Sequence, residues 1–309
     1  MPLIHANGVE LHYHVQGKGV PIVFVHPPCM GSRVFTYVRN DLARDHKTLL
    51  FDFRGHGRSG SSGAKLTIPL LAEDIVGLLE ALDIAKAYLC AYSLGSFAAL
   101  EALLTYPERF LGGILLGGTS EATDWPTRAR LKAGLWAGAA KARSLISFPL
   151  NWKHADNNEA FYRLRGETRA GDLEKWRDYI AACLGYSATS RLKEIRHPML
   201  LLCGEKDTEF KGYMKVLQEG LENDSSAYVS GIKGALPVFG AATAGELIRS
   251  WIGGIGQRPE ARRNSVPERT ADAGGSPFGD EMVRPAGFEA YIRTGEAGGA
   301  GEENPNQLQ

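Results

Sequence analysis

The chain has 309 residues, enough for one large α/β domain or two smaller ones. Hydrophobic residues make up 44% and charged residues 23%, ordinary values for a globular protein. Thirty-five Lys plus Arg balance 35 Asp plus Glu, so no net field draws the chain to nucleic acid or to an anionic membrane.

The opening MPLIHANGVELHYHV lacks a basic start followed by an apolar core, so no secretory signal is expected and a cytoplasmic location is. Asn7-Gly8 then separates two alternating segments, LIHA and VELHYHV. That pair predicts a hairpin, because a type I′ turn needs positive φ at both central residues. VPIVFVH (20–26) is a continuous β-branched run of the kind buried on both faces of a sheet. A helix is expected over 32–45 and a second buried strand, TLLFDF, over 48–53. Residues 67–82 show helical spacing, with Thr67 as N-cap and Pro69 in the first turn.

The alternation continues with a strand over 87–92, a helix over 94–106 and a strand over 110–118. Strands alternating with helices predict a mostly parallel sheet covered on both faces. The pattern breaks over 120–190, which is helical, rich in Ala, Arg and Trp, and without a convincing strand. It resumes with a strand over 197–204, a helix over 210–221, the strand SSAYVSGI and a final helix over 241–252. A helical insertion there reads as a cap over the carboxyl ends of the strands, where open α/β sheets bind ligands. The expected division is therefore a core of 1–119 and 191–254, a cap of 120–190 and a tail of 255–309. Residues 257–309 hold eight Gly, five Pro and only eight large apolar residues, a composition that predicts disorder. Four widely spaced cysteines (Cys29, Cys90, Cys183, Cys203) fit neither a disulfide framework nor a metal knuckle, and reduced thiols are expected.

Four stations stand out, ordered along the chain by their numbers. Ala91-Tyr92-Ser93-Leu94-Gly95 places a serine between small residues at a strand-to-helix junction. A turn there holds the hydroxyl proud of the sheet and leaves the Leu94 N–H at a helix start. His26-Pro27-Pro28-Cys29-Met30-Gly31-Ser32 follows the third strand. Asp52-Phe53-Arg54-Gly55-His56-Gly57-Arg58-Ser59 is a glycine-rich charged turn, with His56 expected at the surface. Gly204-Glu205-Lys206-Asp207 leaves a late strand with a carboxylate.

Over residues 4–252 this order resembles the α/β-hydrolase fold. The resemblance implies a mostly parallel, eight-stranded-type sheet with an N-terminal hairpin, helices on both faces and a helical cap. It implies Ser93 as nucleophile, Leu94 N–H as an oxyanion donor and Asp207 as the acid that orients a histidine. It also implies a small apolar or acyl ligand and no cofactor; the charge balance argues against nucleic acid and membrane, and the cysteine spacing against a metal. The second oxyanion donor would come from the histidine-initiated loop, but Pro28 falls at its position and has no N–H. Either Cys29 donates from a reshaped loop or the hole has one donor fewer. His26 reads as a structural residue of that loop.

The family's histidine belongs after the last strand, within VSGIKGALPVFG (229–240). Aligning Gly231 with the family's glycine puts Gly234 at the base position, and a shift of one puts Ala235 there. The eight histidines lie at 5, 12, 14, 26, 46, 56, 154 and 197, so none follows Asp207. The expected triad is Ser93, Asp207 and Gly234, without a base. Two readings stand at this point: a serine hydrolase of small esters, lactones or related acyl compounds with weak or no turnover, or a binding or signalling protein on the hydrolase scaffold. His154 and His26 are the two candidates for a substitute base. Seven aromatics of the insertion (Trp125, Trp136, Phe148, Trp152, Phe161, Trp176, Tyr179) are expected as cap core or as the wall of an apolar pocket.

Overall fold

A computed structural model describes residues 2–256 of the chain. Two compact units divide it, Met1–Arg249 and Ser250–Gln309; of the second, the described residues end a helix. The expected tail lies, from residue 257 onward, outside the described residues.

Eight strands follow one another as β1 (Leu3–Ala6), β2 (Val9–Gln16), β3 (Pro21–Val25), β4 (Lys47–Phe51), β5 (Ala87–Tyr92), β6 (Phe110–Leu116), β7 (Met199–Gly204) and β8 (Asp224–Val229). They form one sheet in the order β1-β2-β4-β3-β5-β6-β7-β8. β1, β2 and β4 pair antiparallel, and the remaining pairs are parallel. The hairpin forms as expected, with φ of 47° at Asn7 and 74° at Gly8. All residues of β5 and β7 are buried, which is why they read as unbroken apolar runs rather than alternating ones.

The helices are α1 (Thr36–Leu42), α2 (Ile68–Ala81), α3 (Ser96–Thr105), α4 (Trp125–Ala139), α5 (Arg143–Lys153), α6 (Asn158–Ala170), α7 (Leu173–Gly185), α8 (Thr208–Gly220), α9 (Leu236–Phe239) and α10 (Ala241–Gly256). Thr67 caps α2 as read, its hydroxyl accepting Leu70 N–H at 3.3 Å. The short α9 was not anticipated; Pro237 in its first turn supplies a fixed φ in a stretch otherwise read as loop. α4 to α7 form the helical insertion between β6 and β7, and its only strand-like feature among the described residues is one bridge, Glu121 to Ser187. The four cysteines are free and buried. No described helix is long and apolar enough to cross a membrane.

The Asp52 turn is a hub for the loops at the carboxyl ends of the strands. Asp52 accepts Ser32 N–H at 2.7 Å, Arg58 N–H at 3.0 Å and His12 Nδ1–H at 2.9 Å. Burial alone would raise its carboxyl, but these donors and the nearby His26 ring hold it at about 2. Gly57 has φ 50°, and an added Cβ would stand 2.1 Å from the Asp52 carboxylate, so only glycine closes the turn. Arg54 leaves the same turn and forms a buried bidentate pair with Asp74 of α2.

His56 departs from its expected surface position. It is fully buried, its ring 6.4 Å from Trp176 and 5.6 Å from Tyr179, both on α7. The insertion covers the turn, and burial with the neighbouring His26 pushes the imidazole down to about 3. A second departure concerns the insertion's aromatics. Phe161, Trp176 and Tyr179 are buried, whereas Trp125, Trp136, Phe148 and Trp152 face solvent and line neither core nor pocket.

Candidate active site

Where β5 ends, Ser93 takes φ 52°, the left-handed region that a non-glycine residue enters at a cost. Three contacts hold it there. Ala91 is fully buried, leaving no room for a larger side chain. An added Cβ at Gly95 would lie 2.5 Å from the Val25 carbonyl, so the start of α3 can pack on the end of β3 only through glycine. Ser96 Oγ donates to the Ser93 carbonyl at 2.7 Å and accepts Thr119 N–H at 3.0 Å, tying the turn to the loop after β6. Ser96 was read only as a small neighbour; its role in positioning the turn depends on Thr119, 23 residues away. Ser93 is half-buried, and its hydroxyl has no hydrogen-bond partner among the described residues.

The loop after β3 lies beside this turn. His26 is fully buried with both nitrogens engaged: Nδ1–H donates to the Pro27 carbonyl at 2.9 Å and Nε2 accepts Phe53 N–H at 2.9 Å. Burial pushes its imidazole down, so it stays neutral. With no free acceptor it cannot serve as a base. Pro28 offers no donor. Cys29 takes φ 65°, a sharp reversal of the loop, and its N–H has no backbone acceptor among the described residues. Its thiol is buried and pushed far up by desolvation, so it is an inert SH group. From the insertion, the buried Glu167 presses on the same loop. An added Cβ at Gly31 would meet its carboxyl at 2.5 Å, and Arg33 N–H donates to it at 3.3 Å.

Asp207 caps α8, its Oδ1 accepting Phe210 N–H at 3.3 Å, and its Oδ2 accepts Gly234 N–H at 3.0 Å. The loop carrying Gly234 is laced to the end of β7. Glu205 N–H donates to Val229, Lys206 N–H donates to Ile232, and the Glu205 carboxylate accepts Gly231 N–H at 2.8 Å. The structure therefore brings Asp207 and Gly234 together, as the alignment on Gly231 requires. Ala235, the alternative by one residue, is buried and starts the turn into α9.

What fills the space over Gly234 comes from the insertion. An added Cβ at Gly234, where φ is 73°, would stand 3.3 Å from Lys153 Cε and 3.9 Å from its Nζ. Lys153 ends α5, and its ammonium has no hydrogen bond or ion pair among the described residues. The next residue, His154, is buried. Its Nδ1–H donates to the Leu150 carbonyl at 2.7 Å, which leaves Nε2 to accept the Tyr92 hydroxyl at 3.0 Å. Burial pushes His154 down to about 4. Its one acceptor nitrogen is thus held by the residue that precedes Ser93. Tyr92 in turn feels the negative charge of Asp207, which adds to burial in keeping its phenol protonated. Sequence reasoning placed Tyr92 in the turn but missed Lys153 and the Tyr92–His154 bond, because both arise only from the docking of α5.

At the seam between insertion and core lies a shallow cleft, open to solvent, walled by Arg33, Tyr37, His154, Arg163 and Val238 among others. Among the described residues no cluster of His, Cys, Asp and Glu could hold a metal ion.

Known proteins resemble this chain in sequence and in fold. RutD of Azorhizobium caulinodans, which carries the name of a carbamate hydrolase, is 25% identical over 269 residues, 83% of this chain and 100% of its own length. 3-Oxoadipate enol-lactonase 2 of Acinetobacter baylyi is 25% identical over 221 residues, 67% of this chain and 82% of its own. Among solved structures, a thermophilic esterase from Thermogutta terrifontis superposes with a TM-score of 0.73 at 18% identity, over 82% of this chain and 98% of that one. The enol-lactonase from Burkholderia xenovorans LB400 superposes with a TM-score of 0.68 at 20% identity, over 82% and 100%. The family described as alpha/beta hydrolase fold matches residues 20–225. On the matched sequence, the strand order and these likenesses, the chain belongs to the alpha/beta hydrolase fold family.

Proposed function

We propose that this protein carries the site of a serine hydrolase for a small ester, lactone or related acyl compound, and that turnover is weak or absent because Gly234 stands where the base belongs. In this reading Ser93 is the nucleophile, and the N–H groups of Leu94 and Cys29 receive the oxyanion, Pro28 having none to give. Asp207 is an orienting acid with nothing to orient, and 120–190 acts as the cap. Relatives named for carbamate hydrolysis and enol-lactone hydrolysis support the substrate class.

The observation that carries the reading is the 3.0 Å bond from Gly234 N–H to Asp207. The acid meets the expected position through backbone alone, and no ring follows. A hydroxyl without a neighbouring base is a poor nucleophile. In serine proteases, loss of the histidine costs about 10⁶ in kcat, while binding and the oxyanion hole keep ~10³–10⁴ over water. Hydrolysis of a short nitrophenyl ester tests the reading: the unaltered protein should give only a slow, Ser93-dependent rate. A fast rate that survives Ser93→Ala would refute it.

A second reading is a small-molecule binding protein on the same scaffold. The observation favouring it is Lys153, whose ammonium lies over the vacated position and suits an anionic ligand better than a proton-transfer step. Under this reading a small carboxylate raises the melting temperature and Lys153→Met abolishes the increase.

A further inference from the structure

The helical insertion packs one apolar set against the core and leaves a second exposed. Trp125, Trp136, Leu145, Phe148, Trp152 and Tyr162 are between 53% and 80% exposed. On α5, Ile146 and Leu150 pack against the core while a second apolar face points outward. At 100° per residue, Leu145, Phe148, Pro149 and Trp152 fall within about 100° of one another, and all four are exposed. The polar Asn151 points inward, fully buried, with its amide donating to Thr168 Oγ1 at 3.0 Å.

The apolar face is continuous. Phe148 and Trp152 stack at 6.4 Å, both turn an edge to Phe161, and Phe161 meets Tyr162 at 5.6 Å. Exposed apolar patches of this kind mark interaction sites.

Charge identifies the occupant. Although the chain is neutral, residues 125–170 hold nine lysines and arginines against three acids, a net charge of +6. No acid occurs between Asp124 and Asp156. Lys132, Lys141 and Lys153 are exposed, and their ammonium groups make no hydrogen bond or ion pair among the described residues. A second copy of this face would bring two positive fields together. Tryptophan, phenylalanine and leucine on one face of a segment so rich in cations instead match the headgroup region of an anionic bilayer.

We propose that α5, with the flanking faces of α4 and α6, docks on an anionic lipid surface and lies in its interface rather than crossing it. The expectation of no membrane partner came from whole-chain neutrality, which averages over this segregated charge. α5 ends at Lys153, over Gly234, so the docked surface borders the candidate site and a ligand could pass to it from the lipid. The proposal does not depend on whether the site turns over.

The test is sedimentation of the full chain with vesicles of phosphatidylcholine, alone or mixed in equal parts with phosphatidylglycerol. Binding is expected to the mixed vesicles, to weaken with added salt, and to shift tryptophan emission to the blue. Leu145→Ser/Phe148→Ser/Trp152→Ser should lower partitioning by at least about tenfold, as expected for removing large apolar side chains from the interface. Its circular dichroism should be unchanged; if that variant misfolds, Trp152→Ser alone, read by quenching with brominated lipid, takes its place. Failure to bind the mixed vesicles, or binding undiminished by the substitutions, overturns the proposal. So does a concentration-dependent dimer that the same substitutions disperse, since the face would then join two copies.

Discussion

The backbone N–H of Gly234 lies 3.0 Å from Asp207 Oδ2, so the acid of the candidate site is paired to its partner position with no side chain between them. Lys153 Cε stands 3.3 Å from a Cβ added at Gly234, so a small base from solution takes the missing side chain's place once that flexible lysine swings aside. Imidazole should accelerate nitrophenyl acetate hydrolysis in a saturable manner, and Ser93→Ala should abolish the saturable part. A strictly linear response, equal in both proteins, would mean that imidazole acts in bulk water alone.

Tyr92 and His154 set an acid limit on stability. His154 is neutral when folded, held at about 4, whereas an exposed histidine titrates near ~6.5. Between those values the unfolded chain binds the extra proton, so stability is retained at neutral pH and lost as pH falls from about 6.5 towards 4. His56, at about 3, adds loss in the same direction. His154→Gln should weaken stability at pH 7 by about 1–2 kcal/mol through the Tyr92 bond. It should also flatten the acid slope by one proton, about 1.4 kcal/mol per pH unit. Urea midpoints from pH 7 to 4.5 measure both.

Glu167 acts with the opposite sign. Burial, then the charge of Asp52, raises its carboxyl well above the usual range, and Arg33 offsets this only in part. The folded state therefore holds the proton longer, and stability is lost as pH rises through the folded value. Glu167→Gln should leave the melting temperature unchanged near pH 4 and raise it increasingly at higher pH. A uniform decrease at every pH would show that the carboxylate is needed ionised.

Arg54 and Asp74 form a buried pair on which the Asp52 turn rests. Arg54→Met leaves Asp74 with only the Asn7 amide at 2.9 Å. A loss of roughly 3–5 kcal/mol follows from stranding a buried charge. Chemical denaturation reads it, and a change under 1 kcal/mol would place the pair among the weak surface bridges.

How much of this was legible in the sequence follows from the range of each interaction. β3, β5 and β7 announce themselves because strands buried on both faces must be apolar throughout. The Asn7-Gly8 turn and the Thr67 cap are local, and both were read correctly. The meeting of Asp207 and Gly234 was readable because turns leaving strand ends keep their spacing. The unread part lies in the docking of the insertion. His56 looked like a surface turn residue until α7 covered it. Trp152 and Phe148 looked like core because helical spacing records a face without saying which way it points. Lys153 and His154 reach Gly234 and Tyr92 only through tertiary placement of α5.

The most direct measurement of the central claim restores the base. Gly234→His alone places a side chain at φ 73° against Lys153 at 3.3 Å, so it should help little. Combined with Lys153→Ala, it frees the space beside Asp207. The double variant should hydrolyse nitrophenyl acetate at least about 10²-fold faster than the unaltered chain, the lower range of a positioned acid–base group. Adding Ser93→Ala should remove the gain. A folded double variant no faster than the parent, or a gain that survives Ser93→Ala, would contradict a hydrolase site lacking only its base.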